Sequence, residues 1–207
     1  MKLYLSSYRI PNVGEFIRFI GLPKNKINMA IIYNAKDHHP AEIRRRKYLE
    51  LKEFLNKNEL NFFDVDLRNY FKNHEGLRPA LEKANVIWVN GGNTFRLRYA
   101  MAESGFDQII KSLIEKGITY AGDSAGSIVA GPTLEGFENA DDPKQAPEVI
   151  TDGLALTDII VLPHWDDPVF KSALKQLQKR YKDDKSLTIP LRNDQAIFVT
   201  DSEYKIG

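Results

Sequence analysis

The segment Thr119 to Ile128, T-Y-A-G-D-S-A-G-S-I, constrains this chain more than any other. A short apolar run, Ile118 to Ala121, reads as a strand, and the small residues Ala125 to Ala130 read as a helix start. Between them, Gly122-Asp123-Ser124-Ala125-Gly126 fits G-x-S-x-G, the pattern of a nucleophile elbow. Such a turn brings strand and helix so close that side chains at the flanking positions would clash, which is why glycines stand there. The helix start behind Ser124 offers free N–H groups and a positive dipole end, both suited to a developing oxyanion.

A strand that turns into a helix this way needs parallel neighbours, and the chain supplies them. Lys2–Ser6, Ile27–Tyr33, Asn61–Leu67, Val86–Asn90, Ile159–Leu162, Leu187–Ile189 and Ala196–Thr200 read as strands. Helical patterns separate them: Glu15–Ile20, Ala41–Asn56, Gly76–Lys83, Phe95–Glu103, a helix capped by Asp107 and ended by Gly117, and one opened by Pro168 that runs to Tyr181. Asp201 and Ser202 predict a turn into a last strand near Ile206. The alternation predicts an α/β fold, a three-layer sandwich with a mostly parallel central sheet and an antiparallel edge. No repeat or linker interrupts it, so residues 1–207 are expected to form a single domain.

In such a sheet, chemistry gathers beyond the carboxyl ends of the strands. Three ends carry suitable residues: Gly91-Gly92-Asn93, Gly122 to Gly126, and Pro163-His164. A serine nucleophile needs a base, and of His38, His39, His74 and His164 only His164 follows a buried-looking strand downstream of Ser124. Gly91, Gly92 and Ala125 are the candidate oxyanion donors. An acid should orient the imidazole, and Asp141 and Asp142 are the candidates, with Glu135 and Glu138 behind them. No metal-ligand spacing surrounds His38 and His39, and no glycine-rich phosphate motif occurs, so neither a metal nor a cofactor is expected.

Composition removes other classes. A net charge of +1 gives no overall field for nucleic acid, and Arg44 to Lys47 reads as the wet face of a helix. There is no cysteine, hence no disulfide framework or thiol chemistry. No apolar stretch reaches a membrane span, and the N-terminal run is too short for a signal peptide, so a cytoplasmic protein is expected. A homodimer is the default expectation for its assembly.

Four segments in order, Asn90-Gly91-Gly92-Asn93-Thr94-Phe95, Gly122 to Ser127, Gly131-Pro132-Thr133 and Leu162-Pro163-His164, resemble the peptidase E family of aspartyl dipeptidases, with cyanophycinases as distant relatives. The resemblance covers nearly the whole chain. It implies a fold like that of class I glutamine amidotransferases, Ser124 as nucleophile, His164 as base, and Gly91, Gly92 and Ala125 around the oxyanion. Asn93 and Thr94 of the matching segment are expected near the substrate. The family's acid lies after the Pro132-Thr133 segment. An ungapped count from Ser124 lands on Asn139, and a small shift reaches Asp141 or Asp142. Asp142 is preferred, with Asp141, Asn139 and Glu135 as alternatives. The family's arginine for an N-terminal aspartate has no counterpart at the matching place in the 168–180 helix. Arg180 and Arg192 are shifted candidates, so strict aspartyl specificity is not expected. The resulting expectation is a serine-type peptidase acting on dipeptides or short peptides. Another ester or amide hydrolase, or a non-catalytic ligand-binding homologue, is the alternative.

Overall fold

The computed structural model describes residues 1–182, 187–201 and 203–207. Seven strands form the main sheet: β1 (Lys2–Ser6), β2 (Asn28–Ile32), β3 (Asn61–Asp64), β4 (Val86–Val89), β5 (Thr119–Asp123), β8 (Ala196–Thr200) and β9 (Tyr204–Ile206). Their order is β3-β2-β4-β5-β1-β8-β9. The first five run parallel, and β8 and β9 add the antiparallel edge. Two strands expected near this sheet, β6 (Ile159–Leu162) and β7 (Leu187–Pro190), pair with each other in a separate two-stranded parallel sheet.

Side chains alternate across the strands, and so sort into two cores. Tyr4, Met29, Ile31, Val86, Trp88 and Phe198 face one side, packed on α1 (Val13–Ile20) and α2 (Ala41–Lys57) through Phe16, Ile20, Leu51 and Leu55. Leu3, Leu5, Ala30, Ile32, Ile87, Val89 and Tyr120 face the other. There they meet α3 (Leu77–Leu81), α4 (Thr94–Glu103), α5 (Phe106–Glu115), the short α6 (Ala125–Ile128) and α7 (Pro168–Arg180). This is the α/β sandwich predicted from the alternation, with helices covering both faces of a mostly parallel sheet.

Some local expectations shift. Asp107 does not cap α5; Gly105 does, in the left-handed conformation at φ 70°, and Asp107 instead sits in the first turn and pairs with Arg98. β3 stops at Asp64, because Asp66 turns the chain into a 3-10 segment by accepting from the Arg68 amide. The predicted turn at Asp201-Ser202 falls partly outside the described residues, since Ser202 is not among them. Among the described residues, no helix is long and apolar enough to cross a membrane.

Candidate active site

The carboxyl ends of β1, β2, β4 and β5 converge on one face, as do those of the smaller pair β6 and β7. β5 delivers Ser124 at φ 50°, ψ −114°, a region that non-glycine residues avoid. Tight packing imposes that turn. A Cβ on Gly126 would lie 2.0 Å from Val89 O, and one on Gly122 would lie 2.5 Å from the Gly126 carbonyl. Only glycines allow α6 to press this closely on β4 and β5. The buried Tyr120 hydroxyl locks the arrangement by donating to Gly126 O at 2.6 Å. The Ser124 amide continues the β1–β5 pairing by donating to Ser6 O at 3.1 Å.

His164 follows β6 with φ 59°, also strained. Its amide donates to Ser7 Oγ at 2.7 Å, which ties the strained residue to the end of β1. The ring lies between two partners. Nε2 is 2.8 Å from Ser124 Oγ, and Nδ1 is 2.6 Å from Asn193 Oδ1. Phe170 of α7 covers the imidazole, with ring centroids 5.2 Å apart. An amide oxygen can only accept, so Nδ1 carries the proton and Nε2 is free to accept from the serine. Asn193 is itself held: its backbone N–H donates to Asp166 Oδ1 at 3.1 Å, and its side-chain Oδ1 also accepts from Ser7 Oγ at 3.3 Å.

On the other side of Ser124 lies the Asn90-Gly91-Gly92 turn after β4. A Cβ on Gly91 would stand 2.8 Å from Ser124 Cβ, and one on Gly92 would stand 2.6 Å from Ala35 O, so neither position accepts a side chain. The two amides differ. Gly91 N–H donates to the Asp123 carboxylate at 3.0 Å and is therefore occupied. The amides of Gly92 and Ala125 have no acceptor among the described residues.

Asp123 is buried, and burial pushes its carboxyl up, opposed by Lys36, the Gly91 amide, the Asn90 side chain and the Arg9 amide. Burial lowers Lys36 to about 8, with Asp123 pulling the other way.

The site thus brings together a strained serine, a histidine and two unclaimed amides. The model of peptidase family S51 matches residues 43–207. The chain belongs to this family. Peptidase PM1590 of Pasteurella multocida, uncharacterized by its own name, is 36% identical over 99% of this chain and 96% of its own length. Lin0382 of Listeria innocua, likewise an uncharacterized peptidase, is 33% identical over 70% of this chain and 69% of its own. A crystal structure of a protein provisionally named peptidase E from Listeria monocytogenes superposes with a TM-score of 0.84 at 25% identity, covering all of this chain and 97% of that one.

Within this S51 fold the expected third residue is not where the family resemblance led. None of Asp142, Asp141, Asn139 and Glu135 meets the ring nitrogen of His164; Asn193 does. Asp142 is exposed and caps a 3-10 turn by accepting from Lys144 N at 3.0 Å and Gln145 Nε2 at 3.0 Å. Asp141 accepts from the Thr94 amide at 2.9 Å and the Thr94 hydroxyl at 2.5 Å. Burial raises its pKa, the Thr94 bonds opposing that, with a smaller opposing pull from His164. Asn139 reaches Gln176 at 3.4 Å, and Glu135 pairs with Arg180 at 2.6 Å.

The residues expected at the substrate are also engaged. Asn93 caps α4, accepting from Arg96 N at 2.8 Å, and donates to Asp142 O at 2.9 Å. Thr94 is buried against Asp141. Arg180 holds Glu135, and Arg192 lies 3.2 Å from Asp194, both at the surface. Sequence reasoning missed Asn193, Ser7 and Lys36. The one signal for Asn193 is its place in Arg192-Asn193-Asp194, the turn that follows the last parallel strand.

Proposed function

We propose that this S51 peptidase hydrolyses dipeptides or short peptides by a serine mechanism. The observation that carries this reading is the hydrogen-bonded line Ser124–His164–Asn193, which starts at a strained elbow. Ser124 Oγ attacks the carbonyl carbon of the scissile bond while His164 Nε2 takes its proton. The carbonyl oxygen becomes an oxyanion and is met by the Gly92 and Ala125 amides, which have no other acceptor among the described residues. His164 then protonates the leaving amine, and the C–N bond breaks to give an acyl-enzyme. Water, deprotonated by the same nitrogen, attacks the acyl carbon and releases the acid and Ser124. Asn193 holds the imidazole in the working tautomer and orientation. As a neutral amide it stabilises the imidazolium less than a carboxylate would.

Specificity for an N-terminal aspartate is not part of this reading. Each arginine considered for it, Arg180 and Arg192, has its own carboxylate partner. Turnover of X-Leu dipeptides, with Asp, Glu, Asn, Ala, Leu, Lys and Gly at X, tests the proposal in the wild type and in Ser124→Ala. Hydrolysis of at least one member by the wild type is expected, falling by about 10⁴-fold or more in the variant. Full activity of Ser124→Ala would refute the mechanism.

A further inference from the structure

The mechanism leaves one half-buried charged group without a task. Lys36 lies in the 3-10 segment Asn34–Lys36 after β2, and no sequence motif contains it. Its Nζ donates to Asn90 Oδ1 at 2.6 Å and to the carbonyl oxygen of Gly91. Asn90 passes the chain on, donating from Nδ2 to Asp123 Oδ1 at 2.8 Å. The same Asp123 oxygen accepts from Gly91 N–H at 3.0 Å. Lys36, Asn90, Asp123 and Gly91 therefore form a closed ring, and both polar groups of Gly91 belong to it.

The geometry of a peptide unit gives this ring a consequence. In a trans peptide the C=O of one residue and the N–H of the next point in opposite directions. The carbonyl held by Lys36 belongs to Gly91, so the N–H across that plane is the Gly92 amide. It faces away from the ammonium group and has no acceptor among the described residues. A cation on the carbonyl also draws electron density from the amide and strengthens it as a donor. The far side of the turn is fixed as well, since Asn93 N–H donates to Ala35 O at 2.8 Å, one residue before Lys36.

We propose that Lys36 is a positioning residue of the oxyanion hole: by holding Gly91 O and Asn90 Oδ1, it fixes the Gly91–Gly92 peptide plane so that the Gly92 N–H meets the oxyanion formed at Ser124. This rests on the reading of Ser124 as the nucleophile. The Lys36 ammonium does not touch the reacting atoms. The Tyr33 ring, 4.6 Å away, covers it, and Asp123 supplies its counter-charge. A lysine that only neutralised Asp123 would affect stability and leave the rate of the chemical step alone.

The test compares wild type with Lys36→Met in two readouts. The first is kcat and KM on the best dipeptide of the X-Leu panel. The second, independent of the natural substrate, is the labelling rate with a fluorophosphonate. That probe bonds phosphorus to Ser124 Oγ, expels fluoride and places its phosphoryl oxygen in the oxyanion hole. The expected result is a kcat lower by about 30-fold, a KM within about twofold, and labelling slowed in parallel with kcat. Unchanged kcat and labelling in the folded variant would overturn the proposal and leave the serine mechanism standing. So would a raised KM with kcat preserved, which would assign Lys36 to substrate binding. Absence of any Ser124 labelling in the wild type would instead remove the serine reading, and this proposal with it. Should Lys36→Met lose its cooperative melting transition, Lys36→Leu, which also lacks an N–H donor, is judged by the same criteria.

Discussion

The two sides of Ser124 are built from different materials. On the histidine side the groups that touch His164 are the uncharged Asn193 side chain and the Ser7 hydroxyl, and the nearest carboxylate, Asp166, reaches only the Asn193 backbone N–H. On the oxyanion side a buried carboxylate and an ammonium group stand behind the glycine turn. Serine sites that follow the Ser-His-acid plan put the fixed negative charge behind the base. Here two charged groups, joined through the Asn90 side chain, hold the glycine turn, and the imidazole is oriented by an amide. Charge is costly to bury and rigid once paired, so it defines geometry well. An amide orients a ring at lower desolvation cost but adds less to the stability of an imidazolium.

The largest expected effect removes the base. His164→Ala should lower kcat by about 10⁵-fold, close to the loss from Ser124→Ala, because nucleophile and base act as one unit. Single-turnover measurements on the most active dipeptide check this. Two separable, additive losses in the double variant would show that Ser124 and His164 are not coupled as their 2.8 Å contact requires.

Asn193 sharpens the comparison. Asn193→Ala leaves His164 Nδ1 without its acceptor and frees the ring to turn, and kcat should fall by about 10- to 100-fold, less than the loss of an acid from an acid-based triad. Asn193→Asp places a negative charge beside the imidazole. An anion there favours the protonated ring, so the acidic limb of kcat/KM should move to higher pH, while the rate on the plateau rises. An unmoved limb would mean that Asn193 does not control the ring that titrates.

Part of this site was legible in the sequence because local rules dictate it. The elbow glycines are required by contacts with residues close in sequence or on the adjoining strand, and G-D-S-A-G records that requirement directly. The alternation of Tyr4 with Leu3 and Leu5 likewise assigns neighbouring residues of one strand to opposite cores. Asn193 was not legible. It reaches His164 across 29 positions of sequence, from a turn where asparagine is an ordinary residue, whereas the acids expected to orient the base lie in the loop before β6. The difference between the Gly91 and Gly92 amides was hidden for a related reason. The Gly91 amide is claimed by Asp123, the variable position inside the elbow motif, and the motif says nothing about where that side chain points. Lys36 belongs to no motif, and only the fold brings it to the glycine turn.

The smallest expected effect concerns an acid that was considered for the base and serves the fold. Asp141 accepts the Thr94 amide at the start of α4 as well as the Thr94 hydroxyl, and so anchors the 135–145 loop to the helix that follows the glycine turn. Asp141→Ala would leave that amide and hydroxyl unpaired, and should cost about 1–2 kcal/mol of stability with kcat reduced far less than by Asn193→Ala. Asp141→Asn isolates the charge, because its Oδ1 can still accept from Thr94. Burial raises the Asp141 pKa in the folded state, so the fold binds this proton more tightly than the unfolded chain does. The contribution is therefore favourable in acid, below the ordinary carboxylate value, and is lost as pH rises through the raised folded value. Relative to wild type, Asp141→Asn should gain stability as pH climbs through that window, read as the difference in urea midpoint between the two proteins across it. A difference that stays flat would place Asp141 in water rather than against Thr94. A drop in kcat matching that of Asn193→Ala would return Asp141 to the catalytic site and undo the contrast between its two sides.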